Sequence, residues 1–75
     1  MYRKKEINLY GLGCTIVMQK INSEIDKMAE ESTLEVNCDC KCALSKIRGM
    51  CMSKNYPLEI YRLDKNSMKY IIKKV

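Results

Sequence analysis

Residues 5–38 read KEINLYGLGCTIVMQKINSEIDKMAEESTLEVNC, and this stretch decides the fold. Lys5 to Tyr10 alternates, with Ile7 and Leu9 on one side and Asn8 and Tyr10 on the other, which is the period of a strand. Gly11-Leu12-Gly13 breaks the strand; two glycines this close permit positive φ and a tight strand-to-helix turn. From Thr15 to about Glu30 the apolar residues Val17, Met18, Ile21, Ile25 and Met28 recur at three- and four-residue spacing, the stripe of an amphipathic helix. Cys14 or Thr15 is the expected N-cap. Thr33 to Cys38 alternates again, with Leu34 and Val36 inward and Glu35 and Asn37 outward.

Working outward, Asp39 is the expected N-cap of a second helix over 41–53, with the stripe Ala43, Leu44, Ile47, Met50 and Cys51. Gly49 weakens that helix slightly. Pro57 opens a third strand that runs to Leu63. Asp64-Lys65-Asn66-Ser67 has hairpin-turn chemistry, and Met68 to Lys74 closes the chain as a fourth strand. The expected fold is α+β: a two-layer β-α-β-α-β-β sandwich, a four-stranded mixed sheet with two helices on one face. Its β-α-β units should be right-handed, and its other face open to water. At 75 residues the chain reads as a single domain over 1–75 with a thin core. Phe and Trp are absent, so that core is built from Ile, Leu, Val and Met, with Tyr at its edges.

The formal net charge is +5, which permits an acidic partner such as tRNA or an acidic protein face. The basic residues do not form one block: Arg3, Lys4 and Lys5 stand at the start and Lys73 and Lys74 near the end. A solvated basic surface is the plainer reading, and direct nucleic-acid binding is not expected. Tyr10 and Tyr61 are the candidates for base stacking. No apolar run approaches the ~20 residues needed to cross a bilayer, so a cytoplasmic chain is expected. In that compartment five cysteines stay reduced and serve metals or chemistry.

Cys14 stands just before the first turn of the first helix, where unpaired N–H groups and the helix dipole favour negative charge. A thiol so placed can have its pKa lowered from about 8.5 into the range ≈3.5–7.5, and the thiolate is the form that attacks sulfur or carries a persulfide. Gly11 and Gly13 keep the approach open, and the amides of Thr15 and Ile16 supply the first turn. The alternative is a small buried hydrophobe at a helix end. The second motif is Cys38-Asp39-Cys40-Lys41-Cys42. If the segment stayed extended, Cys38 and Cys42 would share a side. If the first two strands are parallel, both β-to-α loops open at one edge, and Cys14 neighbours this cluster. Three uses are open to it. One thiol resolves a persulfide or disulfide on Cys14; Cys14, Cys38, Cys40 and Cys42 hold a thiophilic metal; or the cysteines are packing residues. The spacing is not the C-x₂-C of a zinc knuckle, and the chain has no His. Cys51, on an apolar stripe, reads as core.

From Glu6 to Val75 the sequence resembles the TusA/SirA family of small sulfur carriers. The resemblance rests on Leu9-Tyr10-Gly11-Leu12-Gly13-Cys14, the helix after it, Thr33-Leu34-Glu35-Val36, Asp39, Ile47-Arg48-Gly49-Met50-Cys51 and Tyr70-Ile71-Ile72-Lys73-Lys74. It implies the β-α-β-α-β-β fold, shared with the C-terminal domain of translation initiation factor three. It also implies that Cys14 accepts a persulfide sulfur from a donor such as a cysteine desulfurase. The sulfur then passes by thiol exchange to a downstream acceptor protein, with no cofactor. Family members carry Gly-Leu-x-Cys-Pro-x-Pro; here Thr15 and Val17 replace both prolines. Cys40 stands where many members have an acidic residue, and Lys46 lies near the next acidic position.

Overall fold

The computed structural model describes residues 4–74, so Arg3 of the basic start lies outside the described residues. The order is β1 (Lys4–Leu9), α1 (Cys14–Lys27), β2 (Thr33–Cys38), α2 (Ala43–Lys54), β3 (Leu58–Arg62) and β4 (Met68–Lys73). The four strands form one mixed sheet in the order β1-β2-β4-β3. β1 runs parallel to β2, while β4 is antiparallel to both β2 and β3. This is the expected α+β architecture, with both helices on one face.

The core follows from the periodicities. Val17, Ile21 and Ile25 of α1 and Ala43, Ile47 and Cys51 of α2 meet Leu9, Leu34, Val36, Cys38, Tyr70 and Ile72 of the sheet. Burying one Ile or Leu side chain contributes about 1.5–3 kcal/mol, so this single layer carries the fold.

β2 lies between β1 and β4, and that changes its outer face. Glu35 and Asn37, expected outward and wet, are only 8% and 6% exposed. Side chains of the flanking strands cover them. Asn37 Nδ2 donates to Glu6 Oε2 at 3.0 Å and to Asn8 Oδ1 at 2.8 Å, and Lys4 pairs with Glu35 at 3.2 Å. Lys69 reaches Glu6 from the other side at 3.4 Å. Water therefore has less of this face than the alternation implied.

The helix ends also differ from the sequence reading. α1 stops at Lys27, three residues before the expected Glu30. Lys74 caps that end: its Nζ donates to the carbonyls of Ile25 (2.7 Å) and Met28 (2.9 Å), acceptors near the helix terminus. α2 ends on Asn55 in the left-handed region at φ 58°, its N–H bonded to the carbonyls of Cys51 and Met52. The β3–β4 turn is as read: Asp64 Oδ1 accepts from the N–H groups of Asn66 and Ser67, both at 2.8 Å.

Candidate functional site: three sulfurs at one edge of the sheet

Because β1 and β2 are parallel and in register from Lys4↔Thr33 to Leu9↔Cys38, both leave the sheet at the same edge. Each then turns into a helix. The loops 10–13 and 39–42 are therefore neighbours, and their cysteines meet.

In the first loop, Gly11 has φ +76°, a conformation only glycine adopts without strain. Gly13 does not need that freedom: at φ −74° it is the N-cap of α1, a role expected of Cys14 or Thr15. The helix begins one residue earlier than read, so Cys14 is its first residue. A side-chain carbon at Gly13 would meet nothing within 4 Å, and the space over the loop is open. Val17 N–H donates to Gly13 O at 2.9 Å and closes the first turn. The amides of Cys14, Thr15 and Ile16 precede that bond and have no carbonyl within the helix to meet. They favour negative charge at the sulfur of Cys14. A proline at Val17, as in the family motif, could not make the closing bond.

In the second loop, the strand ends at Cys38 and the chain turns through Lys41 and Cys42 instead of staying extended. This separates the three clustered cysteines. Cys38 points into the core and is fully buried. Cys40 is half-buried, and Cys42 is exposed. Cys40 is joined to Cys14 as a disulfide, with their Cα atoms 6.2 Å apart, inside the usual span for such a bond. The sulfurs of Cys14, Cys40 and Cys42 all lie within 4.8 Å of one another. Cys38 is not of this group, so the site gathers three of the four sulfurs named from the sequence. Burial pushes the Cys38 thiol up. Cys51, also buried, is likewise pushed up.

Asp39 was expected to cap α2. Instead Cys42 occupies the N-cap of α2 and makes no side-chain bond there. The Asp39 carboxylate reaches across to the other loop and accepts the N–H of Gly11 at 3.0 and 3.3 Å. This tie fixes one cysteine loop against the other. Nothing in the sequence signalled it, because its partner is a backbone amide 28 residues away. Tyr10, just after β1, and Ile16, in the first turn of α1, are open to solvent at 47% and 46% exposure.

Fold and site together define a class: a small two-layer α+β domain that presents a cysteine at a helix N-terminus on a glycine loop. The chain belongs to the TusA family of sulfurtransferases, whose family model matches residues 5–74. That family is one of sulfur carriers acting in relay with other proteins, and the match covers nearly the whole chain. No curated relative matches the sequence. Among the described residues, no helix is long and apolar enough to cross a membrane.

Proposed function

We propose that this protein carries sulfur as a persulfide on Cys14, in a reducing compartment such as the cytoplasm. The thiolate of Cys14 attacks the outer sulfur of a persulfide on a donor protein such as a cysteine desulfurase. The bond to the donor cysteine breaks, and the donor leaves as a thiolate. The N-terminal amides of α1 stabilise the attacking anion, and the open space over Gly13 admits the donor. Tyr10 and Ile16 offer the docking partner an apolar contact. The observation that carries the reading is Cys14 as the first residue of α1, half-buried on a glycine loop in a member of this family.

Discharge has two routes. An acceptor protein's nucleophile can take the outer sulfur and leave Cys14 as a thiolate. Alternatively, Cys40 attacks the inner sulfur of the Cys14 persulfide. The outer sulfur then departs as hydrosulfide, carrying the electron pair, and the product is the Cys14–Cys40 disulfide. The pairing seen here supports Cys40 as the resolving thiol over Cys38 and Cys42. An external thiol reductant must then restore both cysteines.

Cyanolysis of sulfane sulfur tests the assignment. After incubation with a cysteine desulfurase and cysteine, the reduced chain should yield thiocyanate, and the Cys14→Ser variant should yield none above background. Wild-type yield from Cys14→Ser would refute the reading.

A further inference from the structure

The third sulfur has no part in that cycle. Cys42 is exposed, yet the arrangement of the loops keeps its sulfur within 4.8 Å of both Cys14 and Cys40. Three thiolates around one ion, at a metal–sulfur distance of about 2.3 Å, lie about 4.0 Å from one another in a trigonal plane. The three sulfurs lie within 4.8 Å of one another, close to the spread that such a site requires once the disulfide is reduced. The loops are already tied by Asp39 to Gly11, so little backbone order remains to be gained on binding.

The donor set selects the ion. It is all sulfur, which suits soft cations such as Cu(I). It is also three-membered among the described residues. The chain has no His, Cys38 is buried in the core, and the Asp39 carboxylate is engaged by Gly11. Zinc, which takes four ligands in a structural site, would find one missing. The charge is partly balanced by the N-terminal amides of α1.

We propose that the reduced protein binds one Cu(I) through the thiolates of Cys14, Cys40 and Cys42. Whatever protons the three thiols still hold are released, and no oxidation state changes. The disulfide form cannot bind, because two of the three ligands are then joined. Resting on the carrier reading, one consequence follows: a bound Cu(I) occupies Cys14 and blocks sulfur loading.

The test is a titration of the reduced full chain with Cu(I) against a chromophoric Cu(I) chelator, without air and without any sulfur donor. One Cu(I) per chain is expected. Cys42→Ser should weaken binding by at least about tenfold, a loss of about 1.4 kcal/mol. Because Cys42 is exposed, its circular dichroism should be unchanged. Cys38→Ala should bind as wild type, and the oxidised chain should bind none. Wild-type affinity in Cys42→Ser, or no uptake by the reduced wild type, would overturn the site. Sulfur loading is scored separately: Cys42→Ser should still load sulfur at Cys14, so a failed titration and a failed carrier assay point to different errors.

Discussion

Five cysteines occupy two regions of this small molecule, and the regions treat them oppositely. Cys38 and Cys51 lie in the apolar layer between helices and sheet, where burial keeps their thiols protonated. Cys14, Cys40 and Cys42 gather at the edge where β1 and β2 leave the sheet, open to partners and to one another. Along the chain a single residue, Asp39, separates the two regions between Cys38 and Cys40. The lesson is that a cysteine's chemistry is set by where its strand ends. The last residue of β2 is structure, and the residues after it are available for reaction.

The comparison can be broken most severely at Cys14. Cys14→Ser should lower sulfur loading by at least about a hundredfold, whereas Cys51→Ala should leave loading intact. Equal losses would mean that the division into regions is false. Next in size is Cys40→Ser, which should load normally but hold its persulfide about tenfold longer in the absence of an acceptor, seen as slower hydrosulfide release. If release is unchanged, Cys40 does not resolve Cys14.

Asp39→Ala loosens the tie between the loops and should slow Cys14–Cys40 disulfide formation about fivefold, the worth of about 1 kcal/mol in positioning. Thiol trapping during mild oxidation would follow it, and an unchanged rate would show that the loops hold their spacing without the tie. On the core side, Cys38→Ala should lower stability by about 1 kcal/mol in urea unfolding without touching loading. The same region predicts a pH dependence for the reduced protein. Cys38 and Cys51 have folded-state pKa values raised above the ordinary thiol range, so the stability they contribute is fully present below that range. It is lost as pH rises toward their folded values, because the unfolded chain ionises first. Tm should therefore hold near neutrality and decline above pH 9; a level Tm there would mean that these thiols are not held neutral.

The sequence carried the element order because each element has a clean period: alternation in 5–10 and 33–38, three- and four-residue spacing in 17–28. Parallel pairing of the first two strands was enough to bring Cys14 toward the 38–42 cluster. What stayed hidden depends on partners far along the chain. The place of β2 between β1 and β4 buries Glu35 and Asn37, and no local pattern reports which strands flank a strand. Lys74 caps the end of α1 from 49 residues beyond Ile25, and Asp39 spends its carboxylate on Gly11 instead of on the helix it precedes. The choice among Cys38, Cys40 and Cys42 turned on the backbone leaving its extended path after Cys38. The alternating spacing of the motif concealed that turn.

The central claim is that sulfur resides on Cys14. Intact-protein mass spectrometry after incubation with a cysteine desulfurase and cysteine, followed by peptide mapping, tests it most directly. The account predicts one added sulfur per chain, mapping to the peptide that contains Cys14 and absent from Cys14→Ser. An adduct on the 38–42 cluster that survives in Cys14→Ser, or no adduct at all on reduced wild type, would contradict it.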